Sequence, residues 1–233
     1  MVHEKQSELE SPMREPGIVF DFDGVLVDSE SVHERALLAA AAKLGMTAIR
    51  DERPGRYVGL GDVEAFERIA AANGRQLSAD EMTLLIAMKG VAFGAASNAG
   101  AIDAYPGAVA LLREASAAGH PVAVCSGSRR DDIEPILESL GVLPLLATVV
   151  SADDVEKTKP DPAPYLLVAD RLGLSPARCL ALEDSPAGIT AALAAGLRVH
   201  ALCHTFGPER LAGAHRIHDG ISGLTLAALL SGA

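Results

Sequence analysis

Three aspartates follow a short apolar run near the start of the chain, in the segment IVFDFDGVLVDSE (residues 18–30). Asp21 ends the run, Asp23 begins the loop after it, and Gly24 allows the backbone to turn sharply there. Neighbouring carboxylates are destabilising unless a cation or a shared proton relieves their repulsion. Oxygen ligands suit a hard divalent ion, so the pair predicts a Mg²⁺ site. The alternative, a pair of solvated loop acids, fits poorly with so apolar a strand.

A second acidic pair, Glu183 and Asp184, follows another apolar run in the segment LALEDSPAG. If the two runs form neighbouring parallel strands, their ends bring four carboxylates together, which favours a metal site. The alternative is that Asp184 and Ser185 only cap the helix that follows.

Polar residues with affinity for phosphate follow two further predicted strands. The segment VCSGS places Ser126 and Ser128 in a loop whose hydroxyl and N–H groups suit a phosphate oxygen. Lys159, in KTKPDP, precedes a predicted helix and can act as a point charge on phosphate. Alone, each signal is weak, since Ser-Gly turns and loop lysines are common.

The elements that must position these residues alternate along the chain. Apolar runs predict strands over residues 18–22, 121–125, 146–150, 179–182 and 197–202. Pro, Gly and cap residues predict helices over residues 106–119, 161–173 and 185–196. This alternation predicts an α/β fold with a parallel sheet and helices on both faces. In such sheets the functional crevice lies at the carboxyl ends of the strands.

Residues 31–100 interrupt the alternation. Capping-box patterns at SVHE (31–34) and SADE (78–81) predict helices to Lys43 and through Met88, and a third helix is predicted over residues 62–73. The simplest interpretation is a helical domain (31–100) inserted into an α/β core formed by residues 17–30 and 101–233. Residues 1–16 lack the apolar stretch of a secretory signal and are predicted to be a disordered tail.

The overall composition restricts the class of partner. The chain has 233 residues, of which 49% are hydrophobic, and a formal net charge of -11. We expect no nucleic-acid or membrane surface, because no basic footprint and no run long enough to span a bilayer is present. Cys125, Cys179 and Cys203 follow no metal-binding spacing, and the first two are expected to be buried free thiols. The default expectation is a cytoplasmic monomer.

The order of the motifs (DxD, Ser, Lys, Glu-Asp), each at the end of a predicted strand, resembles the haloacid dehalogenase (HAD) superfamily. More narrowly, the chain resembles the branch with β-phosphoglucomutase and the sugar-phosphate and phosphoglycolate phosphatases, over residues 17–204. DFDGVLVDSE and LEDSPAGI are the most specific motifs. The resemblance implies a Rossmann-like parallel-sheet core with an inserted helical cap. It also implies a Mg²⁺-dependent phosphatase whose substrate is a small phosphorylated metabolite.

The resemblance also implies a role for each motif. Asp21 would be the nucleophile that forms an aspartyl-phosphate, and Asp23 would protonate the leaving oxygen and then activate water. Mg²⁺ would be held by the Asp21 carboxylate, the Asp23 backbone carbonyl and Asp184, with Glu183 supporting it directly or through water. The loop residues expected to bind the phosphate are Gly24, Ser126, Gly127, Ser128 and Lys159.

Cap residues would select the substrate. By resemblance, His33 faces the catalytic acids from the first cap helix, Glu30 contacts substrate as in some sugar-phosphate phosphatases, and Lys89 aligns approximately with a cap lysine of the branch.

A phosphohexomutase of the β-phosphoglucomutase type is the alternative activity. A mutase cap grips a second phosphate with basic residues, whereas Val58 and Asp62 would occupy those positions here, and Arg56 could only partly substitute. A phosphatase is therefore favoured. Dehalogenases of the superfamily use one aspartate and no metal, and a receiver-like regulator would not need a cap of this size.

Overall fold

The computed structural model describes residues 15–47, 57, 60–98 and 100–231. The strands in these ranges are β1 (Gly17–Phe20), β2 (Val27–Asp28), β3 (Asp103–Ala104), β4 (Val122–Cys125), β5 (Thr148–Val150), β6 (Cys179–Glu183), β7 (Arg198–Leu202) and β8 (Arg216–His218). The helices are α1 (Glu30–Lys43), α2 (Asp62–Ala72), α3 (Ala79–Asn98), α4 (Ala108–Ala117), α5 (Arg130–Ser139), α6 (Ala163–Leu172), α7 (Pro186–Ala194) and α8 (Leu226–Leu230). Nearly all of the predicted N-terminal tail lies outside the described residues.

Six strands form one sheet in the order β5-β4-β1-β6-β7-β8. Every neighbouring pair in it is parallel. The first strand therefore lies in the middle of the sheet, and the chain continues from it to the β4 side and later to the β6 side. Such a reversal of strand order opens a crevice at the carboxyl ends of the central strands. The predicted Rossmann-like parallel sheet is confirmed.

Helices cover both faces of this sheet because its strands are apolar on both faces. Ile18 and Phe20 of β1 belong to a buried cluster that includes residues of α4, α5 and α8. Val19, whose side chain points the opposite way, belongs to a second cluster with residues of α6 and α7. Strands buried on both sides read as continuous apolar runs rather than as alternating ones. This is why the central strands could be predicted from the sequence.

The helices α1, α2 and α3 form a separate layer with a hydrophobic cluster of their own, which includes Leu37, Phe66 and Leu85. The two-residue strands β2 and β3 pair antiparallel on either side of this insertion in the sequence. The chain therefore leaves the core and returns to it side by side, through the two-stranded ribbon of β2 and β3. The predicted division into a core and a cap at residues 31–100 stays a prediction.

Several predicted element boundaries were wrong. Helix α1 begins at Glu30 with Ser29 at its N-cap, so the capping box predicted at residues 31–34 does not start the helix. Helix α3 continues ten residues past Met88, to Asn98, because Phe93 in this last part is buried in the large core cluster. The capping box at residues 78–81 is confirmed, since Ser78 and Glu81 each accept a hydrogen bond from the other's backbone N–H.

Other elements were missed or shifted by a residue. The short strands β2, β3 and β8 and the helices α5 and α8 had no clear sequence signal; α5 contains Pro135 and follows a Ser-Gly turn. Helix α6 begins at Ala163 with Pro162 at its N-cap, although Asp161 still accepts a hydrogen bond from the Ala163 N–H. The N-cap role of Ser185 for α7 is confirmed.

Cys125 and Cys179 are buried free thiols, as predicted, and burial raises the pKa of Cys125 to about 12. Among the described residues, none of the helices combines the length and apolar character that a transmembrane span requires.

Candidate active site

Asp21 and Glu183 lie at the ends of neighbouring central strands and share one lysine. Lys159 Nζ donates hydrogen bonds to Asp21 Oδ1 and to Glu183 Oε1, both at 2.6 Å, and to the Cys125 carbonyl at 2.9 Å. The side chains of Asp21, Lys159 and Glu183 are 10%, 9% and 0% exposed. This buried ion network joins the ends of β1, β4 and β6.

Burial and charge act in opposite directions in this network. Burial, together with the charges of Glu183 and Asp23, raises the pKa of Asp21 to about 8, although Lys159 opposes the shift. Burial alone would lower the pKa of Lys159, but Asp21 and Glu183 outweigh it and raise that pKa well above its usual range. The lysine is therefore held as a cation, and the site still carries more carboxylate than it can neutralise.

Asp23 has a different environment, rich in hydrogen-bond donors. Ser29 Oγ and His33 Nε2 contact its Oδ1 at 2.5 and 3.1 Å, and Ser128 Oγ donates to its Oδ2 at 2.7 Å. Burial raises the pKa of this carboxyl, but His33 and the two serines outweigh burial and lower it below its usual range. Asp23 is therefore a carboxylate in this arrangement.

Asp184 lies between the loop after β1 and the loop after β7. It accepts a hydrogen bond from the Thr205 hydroxyl. Gly24 has a φ of +82°, and a Cβ there would overlap the Asp184 carboxylate. Glycine is therefore required both for the turn and for the close approach of the acid.

Asp21, Glu183 and Asp184 together form a buried acidic cluster. Each offers one oxygen, and these oxygens lie within 4.8 Å of one another. Burial, with Asp21 and Glu183 beside it, raises the pKa of Asp184 well above its usual range. An oxygen-only set with excess negative charge fits a hard divalent cation.

Glu183 is the most constrained member of this cluster. Besides Lys159, its Oε1 accepts a hydrogen bond from the Tyr165 hydroxyl at 2.6 Å. Its Oε2 lies 3.1 Å from the Ser185 hydroxyl, at the start of α7. A Cβ at Gly188 would overlap this carboxylate. Both oxygens thus already have protein partners, which makes Glu183 an anchor for Lys159 as well as a candidate ligand.

The predicted phosphate-binding loop lies beside Asp23. Gly127 and Ser128 line the central cavity, which has a volume of about 500 Å³. Ser126 is 1% exposed, and its Oγ accepts the Ser128 N–H at 2.9 Å. Ser126 and Gly24 are not among the cavity-lining residues in the described part of the chain. Their position supports the loops that carry Ser128 and Asp23.

The predicted cap residues Glu30, His33 and Lys89 all line the same cavity. The imidazole of His33 stacks on Phe93 of α3, with ring centroids 4.1 Å apart, and this fixes the ring against Asp23. Lys89 is 9% exposed and forms an ion pair with Asp62 of α2, with Nζ and Oδ1 2.8 Å apart. Arg56 and Val58, which bear on the mutase alternative, lie outside the described residues.

Four residues of the site were missed in the sequence: Ser29, Tyr165, Thr205 and Asp132. Ser29 directly follows the first acidic motif, and its hydroxyl donor next to Asp23 could have been noticed. Tyr165 and Thr205 reach Glu183 and Asp184 from elements far away in the sequence, so no local pattern indicates them. Asp132 lies on α5, which was not predicted as a helix.

Known proteins and one family model match most of this chain. A family model described as haloacid dehalogenase-like hydrolase matches residues 16–196. Hexitol phosphatase A of Escherichia coli (strain K12) is 36% identical over 191 residues, which are 82% of this chain and 84% of that protein. A phosphoglycolate phosphatase of Rhodospirillum rubrum is 31% identical over 212 residues, which are 89% of this chain and 88% of that protein.

A solved structure extends the comparison to the fold. The crystal structure of CbbY from Rhodobacter sphaeroides in complex with phosphate matches with a TM-score of 0.81 and 30% identity, covering 92% of this chain and 99% of that chain. The parallel sheet, with acids at the carboxyl ends of its central strands, belongs to the same α/β fold as that structure. The chain belongs to the haloacid dehalogenase-like hydrolase family. The expected class, a phosphoric monoester hydrolase, is confirmed.

Proposed function

We propose that this protein is a Mg²⁺-dependent phosphatase that hydrolyses a small phosphomonoester through an aspartyl-phosphate on Asp21. One observation carries the proposal: Asp21, Asp23, Lys159 and Asp184 all line a single cavity at the carboxyl end of the sheet. Relatives named hexitol phosphatase and phosphoglycolate phosphatase support a small phosphorylated metabolite as substrate.

Asp21 is the nucleophile in this proposal. One of its carboxylate oxygens bonds to phosphorus while the bond from phosphorus to the leaving oxygen breaks, and the leaving oxygen takes a proton from Asp23. Lys159 lies 2.6 Å from Asp21 Oδ1, so it orients the attacking carboxylate and places a positive charge beside the phosphoryl group. Like-charge repulsion between a carboxylate and phosphate at 4 Å amounts to about 4 kcal/mol at an effective dielectric of 20, and this lysine offsets part of it.

Asp23 then acts as a base in the second half of the reaction. It takes a proton from a water molecule whose oxygen attacks phosphorus, and the bond between Asp21 and phosphorus breaks. The hydrogen bonds to Asp23 keep it in the carboxylate form that a base must have, although they lower its affinity for the proton. Its earlier role as an acid requires that the contact with His33 or with a serine be released so that Asp23 can hold a proton.

The acidic cluster is the proposed cation site. The ligands would be the carboxylates of Asp21 and Asp184 and the backbone carbonyl of Asp23, with Glu183 direct or through water. When bound there, Mg²⁺ supplies the positive charge that neutralises the crowded acids and the phosphoryl oxygens. The residues fit because all three side chains offer oxygen and are buried with excess negative charge.

Mutase activity of the β-phosphoglucomutase type has less support. A mutase must hold a second phosphate, and Asp62 places an acid in the cavity and pairs with Lys89. Conversion of β-glucose 1-phosphate to glucose 6-phosphate, followed by ³¹P NMR, is expected to be negligible beside hydrolysis. Rapid isomerisation would reverse this ranking.

The test of the proposal is Asp21→Asn, with Asp170→Asn on the exposed surface of α6 as a matched control. Phosphate release from p-nitrophenyl phosphate and a panel of phosphorylated metabolites is measured with Mg²⁺, with EDTA, and after Mg²⁺ is restored. We expect Asp21→Asn to lose at least about 10³-fold in kcat with the fold intact, and the control to match the parent protein. Acid quenching during turnover followed by mass spectrometry is expected to find a phosphoryl adduct on the peptide with Asp21. Turnover retained by Asp21→Asn would overturn the nucleophile assignment.

The proposal includes a monomer in the cytoplasm. Light scattering coupled to size-exclusion chromatography measures the first property, and cell fractionation measures the second.

A further inference from the structure

We propose that Asp132 is a substrate-selecting residue: it accepts a hydrogen bond from a hydroxyl or ammonium group of the leaving alcohol and disfavours substrates with a second anionic group. The inference rests on the proposed phosphatase function. It assigns to this site a phosphomonoester of a neutral or amino-bearing polyhydroxylated alcohol.

Asp132 lies in the first turn of α5, immediately after the loop with Gly127 and Ser128. It lines the same cavity as Asp23 and Lys159 and is partly buried. Its carboxylate has no hydrogen bond or ion pair within the part of the chain that the structure describes. Helix α5 packs against the cap helix α3, so Asp132 faces the cavity where core and cap meet.

Among the described residues, the acids on this side of the cavity outnumber the cations. Helices α1, α2, α3 and α5 form this cap-side wall, which includes Glu30, Asp62, Lys89 and Asp132. Lys89 is already paired with Asp62. Arg129 also lines the cavity and is, among the described residues, one cation beside the two acids Glu30 and Asp132.

The surroundings of Asp132 leave its charge poorly compensated. Burial raises the pKa of this carboxyl; the charges of Lys89, His33 and Arg129 oppose the shift without cancelling it, and Asp23 adds a smaller effect in the same direction as burial. The same holds for Glu30, whose pKa burial also raises. A partly buried carboxylate without a donor is stabilised by any hydroxyl or ammonium group that reaches it. A second phosphate or a carboxylate at that place would be repelled.

This chemistry divides the possible substrates into two groups. Sorbitol 6-phosphate and glucosamine 6-phosphate carry hydroxyl or ammonium donors beyond the phosphate. Phosphoglycolate and fructose 1,6-bisphosphate carry a second anion. We expect the parent protein to show kcat/KM at least about tenfold higher for the first group than for the second.

Asp132→Asn removes the charge and keeps the shape, and Asp131→Asn, on the exposed side of the same helix, is its matched control. We expect Asp132→Asn to lower the ratio of kcat/KM for glucosamine 6-phosphate over phosphoglycolate by about tenfold, mainly through KM. The control is expected to change this ratio by less than about twofold. Thermal unfolding of both variants shows whether the change in selectivity is separate from a loss of fold.

The inference is overturned if the parent protein prefers phosphoglycolate or the bisphosphate, or if Asp132→Asn changes all substrates by the same factor or none of them. Hydrolysis of p-nitrophenyl phosphate that depends on Asp21 tests the phosphatase function separately from the role of Asp132. If that hydrolysis is present and the selectivity is absent, only the role of Asp132 fails. If no phosphomonoester is hydrolysed at all, the proposed function fails and this inference fails with it.

Discussion

The two sides of the cavity are built differently. On the sheet side, Asp21, Lys159 and Glu183 are almost fully buried and tied together by hydrogen bonds of 2.6 Å. On the cap side, Glu30 and Asp132 are partly buried, and their carboxylates have no partner in the described chain. The sheet side is therefore preorganised by the protein itself, whereas the cap side is left to be completed by a ligand.

In the proposed mechanism, the sheet side of the cavity carries out the reaction and the cap side selects the substrate. A nucleophile and its cation must be held in a fixed geometry, and the ends of adjacent parallel strands provide it. A side chain that recognises the leaving alcohol needs only a hydrogen-bond acceptor that has no protein partner and lies within reach of that alcohol. Changes that remove the cation or disturb the packing on the sheet side are therefore expected to lower both stability and activity, and changes on the cap side to alter activity alone.

The largest effect is expected from Lys159→Met, which leaves Asp21 and Glu183 buried without their cation. Removing one partner of a buried ion pair costs about 3–5 kcal/mol in the free energy of unfolding, and we expect a loss of that size together with loss of turnover. Urea unfolding monitored by circular dichroism measures it. Lys157→Met, at an exposed position two residues earlier, is the control.

A second variant sharpens this prediction. Adding Glu183→Gln to Lys159→Met removes one of the stranded charges, so the double variant is expected to recover part of the lost stability. A double variant less stable than Lys159→Met would mean that Glu183 is held mainly by Tyr165 and Ser185.

The next effect concerns two helical glycines. A Cβ at Gly188 in α7 would overlap the Glu183 carboxylate, whereas a Cβ at Gly94 in α3 would meet open space. We expect Gly188→Ala to lower the free energy of unfolding by about 1–3 kcal/mol and to reduce kcat. Gly94→Ala should raise that free energy by about 0.5–1 kcal/mol, because alanine loses less entropy in a helix. The same direction of change in both variants would contradict the close packing at Glu183.

On the cap side, Glu30→Gln is expected to leave the free energy of unfolding within about 0.5 kcal/mol of the parent or to raise it slightly. The reason is that burial raises the pKa of this carboxyl, so the ionised form is disfavoured in the folded protein. KM for the preferred substrate is expected to rise. A clear loss of stability would show that Glu30 belongs to the rigid part of the site and would remove the contrast between the two sides.

The smallest predicted effect concerns a pair of histidines away from the cavity. His200 of β7 and His218 of β8 lie with ring nitrogens 3.2 Å apart. Burial lowers the pKa of His200 from 6.5 to about 4. Between these values the unfolded chain binds a proton that the folded protein does not, so stability falls as the pH falls from about 6.5 towards 4. We expect the Tm of the parent protein to fall between pH 7 and pH 5, and the Tm of His200→Gln to fall by a few degrees less. An equal loss in both proteins would place the acid sensitivity elsewhere, with the site carboxylates as the next candidates.

Much of the fold could be predicted because the central parallel strands are short and apolar, and acidic residues mark the ends of two of them, β1 and β6. The runs before Asp21 and Glu183 were found on this basis, and neighbouring strands β1 and β6 do bring the two acidic pairs to one edge. Element ends were predicted less well. Helix α3 runs on to Asn98 through two glycines, because packing of Phe93 outweighs their low helix propensity.

The amino-acid sequence by itself determined that two acidic pairs each follow an apolar strand, because buried strands of a parallel sheet read as apolar runs. The tertiary structure made those strands, β1 and β6, neighbours, so that the carboxylates meet. Only the tertiary structure decided how their charges are divided: Lys159 joins Asp21 to Glu183, Thr205 contacts Asp184, Lys89 pairs with Asp62, and Asp132 is left facing the cavity. Those pairings join residues as far as 138 positions apart, as for Lys159 and Asp21. Which side chains meet over such a separation in sequence depends on how whole helices and strands pack, and no local sequence pattern indicates it.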